Sequence, residues 1–340
     1  MNRRVFASVT RISDLAAAPF DVTPLARAHW ATGDYAEAEV IPPISSLYHV
    51  EDRTGFMDPV KPGDRIIGAF GHRAATLEGA GSWEAIEDGR LHAMTNAGLL
   101  GRFTSFSPLL PDPISLRYRG HVMRNGAKVT MRDFALESDY PEFDIPTILL
   151  VGTSMSAGKT LTGRAAIEVL TGEGYSVTGA KLTGAGRYRD ILSFGKSGAA
   201  RIYDFVDVGL PSTIVPEDEY REAVRPLLRH IAAERPDYLV CEAGASPMEP
   251  YNGAAAIEEL GDSVACCILC ATDPYAVVGV MQAFGLQPDL VAGPATNTQA
   301  AIDLVRKLTG VHGINIIDPD AMPEFREFLL GVLGIEPRRP

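Results

Sequence analysis

The sequence predicts an α/β protein with two domains: a doubly wound, mostly parallel sheet in residues 146–340, preceded by a β-rich, barrel-like domain in residues 1–140. Three observations predict this arrangement. Short apolar runs alternate with helical stretches after residue 146. The first of these runs ends in a loop that leads directly into a helix. Before residue 140, short strand patterns are interrupted by glycines and turn pairs.

Length, composition and charge narrow the class of protein. The 340 residues suit two domains, and a hydrophobic content of 46% indicates a folded chain. The net charge of -12 argues against nucleic acid as a partner, because phosphate backbones attract clustered Lys and Arg. No apolar run reaches membrane-spanning length and no signal-peptide pattern opens the chain, so we expect a cytoplasmic protein without a membrane partner. The four cysteines are interpreted as buried free thiols.

The amino-terminal region carries strand and turn signals. A Pro-Gly turn at residues 62–63 precedes a short apolar run, and the Asn125-Gly126 pair predicts a tight hairpin. An Ala-rich stretch, residues 25–38, is a candidate helix after Pro24. None of the five histidines in this region has metal-ligand spacing to another. An acidic, proline-containing segment at 137–146 marks the predicted domain boundary.

Residues 147–160 are the most informative stretch. A buried strand is expected to end at Gly152, and a Gly-Lys-Thr triplet begins a helix six residues later. Backbone N–H groups of such a loop and of the first helical turn converge on one point and favour a phosphate. The alternative is a Gly/Ser-rich turn that binds nothing. The predicted nucleotide-binding residues of this stretch are Thr153, Ser154, Ser156, Ala157, Gly158, Lys159, Thr160 and Leu161.

Two residues of the triplet have distinct predicted roles. The Lys159 ammonium would contact the outer phosphate oxygens and act in catalysis, and the Thr160 hydroxyl would ligate Mg²⁺. The sequence therefore predicts ATP and Mg²⁺ as cofactors.

Charged residues follow other predicted strands of the same sheet. Lys181 ends the second strand and Glu242 the third, and the carboxyl ends of parallel strands line the ligand crevice. Both are predicted catalytic residues, and Glu242 is also a predicted metal ligand. Asp204 and Asp207 lie in a predicted mobile loop at 202–213, Asp204 as a metal ligand and Asp207 as a catalytic residue. The alternatives are a solvated lysine and turn-capping aspartates.

The end of the sheet offers candidates for reading the nucleotide base. Asn297 follows the fifth predicted strand, and its amide can both donate to and accept from an adenine edge. The alternative is that Asn297 caps the helix beginning at Gln299. Residues 313–318 form the last predicted strand, after which Asp318 is a second base-side candidate.

The loop spelling Gly-Thr-x-x-x-x-Gly-Lys-Thr, residues 152–160, resembles that of the dethiobiotin synthetase family. Five residues separate Gly152 from Gly158, so Thr153 holds the position of the usual first glycine. The Glu-Ala-Gly-Ala segment at Glu242 is similar to the family's Glu-Gly-Ala-Gly-Gly, whose acid holds the metal. The resemblance also implies that Asn297 reads the base.

The same loop, late in a two-domain chain, also resembles the D-glutamate N-acetyltransferase group. That group has a Rossmann-like amino-terminal domain, which residues 1–140 do not resemble. This likeness implies acyl transfer from acyl-CoA instead of chemistry on ATP.

Three functions are compatible with these motifs. The first is ATP- and Mg²⁺-dependent phosphoryl transfer to a small acidic metabolite, as in a kinase or ligase. The second is acyl-CoA-dependent N-acylation of an amino acid, and the third is a nucleotide-gated regulatory or metal-delivery protein. We expect a homodimer or a higher homo-oligomer.

Overall fold

The computed structural model describes residues 3–43, 49–244 and 246–336, which form two compact units. Unit 1 contains Met1–Glu137, Ala185–Arg189 and Phe205–Pro216. Unit 2 contains Ser138–Gly184, Asp190–Asp204 and Glu217–Pro340. Two segments beyond the predicted domain boundary, 185–189 and 205–216, therefore pack within unit 1.

Unit 1 is built from short strands. They are β1 (Arg4–Phe6), β2 (Asp21–Thr23), β3 (Tyr35–Val40), β4 (His49–Glu51), β5 (Met57–Pro59), β6 (Arg65–Phe70), β7 (His72–Ala75), β8 (Gly79–Ser82), β9 (Arg90–Ala93), β10 (Leu99–Phe106), β11 (Ser115–Arg124) and β12 (Ala127–Lys128). The main sheet has the order β1-β6-β3-β11-β9-β10-β8-β7. An additional pairing of β10 with β6 closes five of these strands into a ring, which confirms the barrel-like, β-rich domain.

Glycines permit the closure of this ring. A Cβ on Gly68 of β6 would lie 2.3 Å from the carbonyl oxygen of Gly98, immediately before β10. Gly98 itself has φ +88, where other residues are strained. Apolar side chains such as Ile66, Phe70 and Leu116 fill the core of this unit.

The predicted hairpin is present and the predicted helix is not. Asn125 (φ 52) and Gly126 (φ 79) connect β11 to β12 with Arg124 opposite Ala127, a two-residue turn that needs positive φ at both positions. The candidate helix at 25–38 is wrong. Its last four residues, 35–38, belong to β3, which pairs with both β6 and β11, so tertiary strand pairing outweighs the helix propensity of alanine there.

Unit 2 alternates strands and helices. Its strands are β13 (Thr147–Gly152), β14 (Val177–Thr183), β15 (Arg201–Asp204), β16 (Tyr238–Ala243), β17 (Val264–Cys270) and β18 (Leu290–Ala292). Its helices are α1 (Lys159–Gly172), α2 (Tyr188–Lys196), α3 (Glu217–Ala233), α4 (Gly253–Leu260), α5 (Pro274–Phe284), α6 (Gln299–Thr309) and α7 (Met322–Val332). The first two residues of α2 are counted with unit 1.

The sheet of unit 2 has the order β15-β14-β16-β13-β17-β18, and all of its pairings are parallel. This confirms the predicted doubly wound α/β fold. Strand β13 is central, and the order reverses beside it, which opens a crevice at the carboxyl ends of the strands. Buried side chains of β13, β16 and β17, including Ile148, Val240 and Ile268, pack against α1 and α7.

Two details of the predicted sheet are corrected. Residues 313–318 do not form a strand: only Gly313 makes an isolated bridge, to Val291, while Ile314 and Ile316 are buried in the core without strand pairing. The predicted loop at 202–213 begins as an edge strand, because Ile202 and Asp204 belong to β15.

The four cysteines, Cys241, Cys266, Cys267 and Cys270, are all free and buried. Burial raises the pKa of each thiol, that of Cys267 to about 12 and that of Cys270 to about 11. Among the described residues, none of the helices combines the length and the apolar character needed to cross a bilayer.

Candidate functional site

The loop between β13 and α1 is fixed at both of its ends. The Thr153 amide donates to the Cys270 carbonyl oxygen (3.0 Å), and the Thr153 hydroxyl accepts from the Thr272 amide (3.2 Å). At the other end Gly158 has φ +98 and caps α1. The loop is therefore anchored to the carboxyl end of β17, and its last residue needs a conformation that glycine adopts without strain.

The chain just after β18 packs against the back of the loop. A Cβ on Gly293 would lie 2.1 Å from the Ala157 carbonyl oxygen, and a Cβ on Gly158 would lie 3.2 Å from the Gly293 Cα. Only residues without a side chain permit this close approach. The two glycines thus hold Ala157 and Gly158 in place.

The front of the loop presents donors and positive charge. The first turn of α1 contains no acidic residue, so no first-turn carboxylate neutralises the positive end of the helix dipole. The Ser154 hydroxyl is buried, and its Oγ has no hydrogen-bond partner among the described residues. An orphaned buried hydroxyl beside a helix N-terminus suits a phosphate oxygen. Ser156 and Leu161 are exposed.

Lys159 is buried and turned onto its own loop. Its residue exposure is 4%, and its Nζ donates to the Ser154 carbonyl oxygen at 2.7 Å. Burial lowers the pKa of this lysine, an effect that the charge of Glu242 partly opposes. The ammonium is thus held where a phosphate would meet it, and an anion there would favour its charged form.

Glu242 lies next to this lysine at the end of β16. It is paired in register with Leu150 of β13 on one side and with Lys181 of β14 on the other. The residue is only 2% exposed, and its Oε1 has no hydrogen-bond partner among the described residues. Burial raises the pKa of this carboxyl, whereas Lys181, Lys159 and a hydrogen bond from the Thr160 hydroxyl lower it.

The hydroxyl of Thr160 and the carboxylate of Glu242 fit a hard divalent cation. Oxygen donors of this type suit Mg²⁺, which normally keeps several waters and shares phosphate oxygens. The orphaned Oε1 supports this assignment, because a buried carboxylate oxygen without a partner is costly. Within the described ranges, no group of three or more His, Cys, Asp or Glu residues could hold a metal.

Lys181 is the second buried ammonium, and it is neutralised. Its Nζ lies 2.6 Å from Asp190 Oδ2, in the first turn of α2. Burial lowers the pKa of Lys181, but Asp190, Glu242 and Asp204 outweigh that effect and raise it overall. The sequence analysis missed Asp190. An acid in the first turn of a helix was the available signal, and nothing in the sequence linked that helix to Lys181.

The remaining predicted residues are placed as follows. Asp204 is buried at the end of the edge strand β15, opposite Lys181 in the register of β14. Strands β14 and β16 separate β15 from β13, the strand that leads to Thr160. Asp207 belongs to unit 1, where its carboxylate accepts from Arg11 at 2.9 Å. Its predicted catalytic role stays a prediction.

Asn297 lies on the exposed surface just after the 3-10 turn Pro294–Thr296, on the segment that backs the phosphate loop. The alternative that it caps α6 is wrong: the cap is Thr298, whose hydroxyl accepts from the Ala301 amide at 3.3 Å. Asp318 caps a separate 3-10 turn by accepting from the Asp320 amide.

The parallel sheet, the glycine-anchored loop and the buried lysine together make unit 2 a P-loop α/β fold. No protein-family model matches this sequence, and no curated protein matches it significantly. The resemblance to dethiobiotin synthetase consequently rests on the loop and the Glu242 segment alone.

Solved structures of several proteins are similar to this chain. HypB from Helicobacter pylori in complex with nickel is 17% identical with a TM-score of 0.36, covering 55% of this chain and 86% of that chain. Hydrogenase maturation factor HypB from Archaeoglobus fulgidus is 15% identical (TM-score 0.38, 56% and 91% covered). Chloroplast FtsY from Physcomitrella patens is 14% identical (TM-score 0.37, 58% and 70% covered).

Proposed function

We propose that this protein binds a Mg²⁺–nucleoside triphosphate at its phosphate loop and hydrolyses it, and that the nucleotide state gates a further event. The observation that carries the proposal is that a buried lysine, Lys159, lies next to Glu242, whose Oε1 has no hydrogen-bond partner among the described residues. The first would receive a phosphate and the second a cation. A Mg²⁺–triphosphate supplies both in one ligand.

Each residue has a defined task in this proposal. The loop amides and Lys159 bind the phosphates, and Ser154 Oγ donates to a phosphate oxygen. Thr160 and Glu242 hold the metal, which neutralises charge on the phosphates when it is bound. Ser154, Lys159 and Glu242 are buried, which excludes water from the phosphate side and strengthens their electrostatic contacts.

The charge of the cluster favours gating over phosphoryl transfer to an acidic metabolite. Lys181, expected to bind such a metabolite, is already paired with Asp190. The carboxyl groups that act on the two lysines are Asp190, Asp204, Glu242 and Glu249, so acidic side chains outnumber the two ammonium groups. A second anion would enter a site with no spare positive charge.

Phosphoryl transfer to a small acidic metabolite remains the second candidate, because Lys181 lies in register with Glu242, which lies beside Lys159. It requires that the metabolite displace Asp190. No contact among the described residues of the cluster specifically supports the acyl-transfer alternative. The loop motif on which it depends is also the basis of the two nucleotide proposals.

Two assays on the full-length protein separate these functions. Titration calorimetry with ATP and GTP, each with and without Mg²⁺, tests nucleotide binding and the preferred base, for which the sequence predicts adenine. Release of nucleoside diphosphate and of free CoA is then measured with a panel of small acids and acetyl-CoA. Slow phosphate release that no acid accelerates supports gating, whereas acid-dependent release supports phosphoryl transfer. Binding of neither nucleotide refutes both.

A further inference from the structure

Two oppositely charged neighbours in the sheet do not form the ion pair that their positions favour. Lys181 on β14 and Glu242 on β16 are register partners on adjacent strands, and both are buried. Nevertheless the Lys181 ammonium lies 2.6 Å from Asp190, and Glu242 Oε1 has no hydrogen-bond partner among the described residues.

Such an arrangement is costly unless the unpartnered carboxylate oxygen of Glu242 has a use. Register partners on adjacent strands project to the same face, so a direct Lys181–Glu242 pair would be within easy reach. It would satisfy two buried charges at once. Asp190, in the first turn of α2, instead supplies the counter-charge for Lys181, with its own side chain 22% exposed.

We propose that Asp190 is a positioning residue that withholds Lys181 from Glu242 and so keeps the Glu242 carboxylate open for the divalent cation. This inference rests on the proposed Mg²⁺–nucleotide site. Asp190 itself contacts neither nucleotide nor metal. It acts through Lys181, whose remaining carboxylate neighbours are Glu242 and Asp204.

The consequence of removing the Asp190 charge follows from these neighbours. With asparagine at position 190, the ammonium of Lys181 keeps its burial but loses its nearest carboxylate. It then moves toward Glu242, which neutralises the carboxylate and competes with the cation. Changes to groups that orient metal ligands typically lower metal affinity about 10- to 100-fold, and we expect a loss in that range for Asp190→Asn.

The experiment is a mutant cycle with metal affinity as its readout. Mn²⁺ binding to the nucleotide complex is measured by electron paramagnetic resonance for the wild type, Asp190→Asn, Lys181→Met and the double variant. Nucleotide affinity without metal is measured in parallel by calorimetry. We expect weak Mn²⁺ binding only in Asp190→Asn, and restored binding in the double variant, where no ammonium competes. Asp190→Glu, which retains a carboxylate, should stay within about threefold of wild type.

Each result decides the proposal. Unchanged Mn²⁺ affinity in Asp190→Asn overturns the positioning role while leaving the nucleotide site intact. Equal losses in Asp190→Asn and the double variant also overturn it, because Asp190 would then act independently of Lys181. If Asp190→Asn does not fold by circular dichroism, Lys181→Met alone decides: retained or tighter Mn²⁺ binding supports the role and weaker binding overturns it. A wild type that binds no nucleotide refutes the proposed function itself.

Discussion

The phosphate loop and the end of strand β14 each bury one lysine, yet they treat its charge in opposite ways. At the loop, Lys159 donates to a backbone carbonyl, and burial lowers its pKa. At the strand end, Lys181 pairs with Asp190, and the surrounding carboxylates raise its pKa despite burial. A buried ammonium whose pKa is lowered gains most from an added anion, whereas an ammonium that Asp190 already neutralises gains little. We therefore expect Lys159, and not Lys181, to bind the anionic ligand.

The largest effect is expected from Lys159→Met. Loss of the ammonium should weaken nucleotide binding by on the order of 100-fold, because charge-assisted contacts to phosphate contribute about 1.5–3 kcal/mol each. The folded state should persist: a lowered pKa means that folding disfavours the charged lysine at neutral pH, and methionine removes that cost. Calorimetry and urea unfolding measure the two quantities. Lys307→Met, on the exposed face of α6, is the matched control. Equal nucleotide affinity in both variants would contradict the phosphate-loop assignment.

Glu242→Gln should act mainly on the metal. We expect the Mg²⁺ concentration for half-maximal nucleotide binding to rise by about tenfold, while binding without metal changes little, because the amide keeps the shape and loses the charge. A Mg²⁺ titration at fixed nucleotide checks this. An unchanged Mg²⁺ midpoint would contradict the assignment of Glu242 as a metal ligand and would indicate a structural role.

The same variant carries a pH signature in the absence of ligand. Because burial raises the pKa of Glu242 above its ordinary value of 4.5, the folded wild type binds more protons than the unfolded chain. The contribution of Glu242 to stability is therefore present at acidic pH and is lost as pH rises through the raised pKa. Glu242→Gln lacks this loss, so its stability relative to wild type should improve from pH 4.5 to pH 8 in urea unfolding. A stability of Glu242→Gln that falls relative to wild type over this pH range would contradict the assigned direction.

Lys181→Met should lower nucleotide turnover less than Lys159→Met does. Since Asp190 already neutralises Lys181, we expect a decrease in nucleotide turnover of about tenfold, below the roughly 100-fold that a free pre-placed donor supplies. Steady-state phosphate release provides the measurement. Equal losses of phosphate release in Lys181→Met and Lys159→Met would contradict the difference between the two lysines. That result would favour direct contact of Lys181 with the transferred phosphoryl group.

The smallest effect concerns the base side of the site. Asn297→Ala should lower the affinity for the preferred nucleotide by about fivefold, the value of roughly one hydrogen bond, without changing Mg²⁺ dependence. Thr298→Ala is the adjacent control, because it removes the α6 cap and should cost about 1 kcal/mol of stability with little change in affinity. Calorimetry with ATP and GTP and thermal unfolding distinguish the two variants. If Asn297→Ala leaves both affinities unchanged, the base contact lies elsewhere.

The sequence predicted those parts of the site that local pattern determines. Strand β13 was predicted to end at Gly152, as it does, because a continuous apolar run stops there, and the loop residues follow from glycine spacing. Strand β15 was missed because this edge strand has little apolar pattern. The partner of Lys181 was missed because Asp190 reaches it through the packing of α2, which no sequence period encodes. Residues 313–318 show the converse case, since apolar residues there fill the core without pairing.

The buried cysteines have a practical consequence. The thiolate is the species that reacts with maleimides and iodoacetamides, and all four native thiols are shielded and hold pKa values above their usual range. The native protein should therefore behave as cysteine-free toward these labels at neutral pH. A single cysteine introduced on an exposed position, such as Lys307 of α6, can carry a fluorophore without any change to the natural sequence elsewhere. Distances and nucleotide-dependent motions then become measurable in the otherwise unaltered chain.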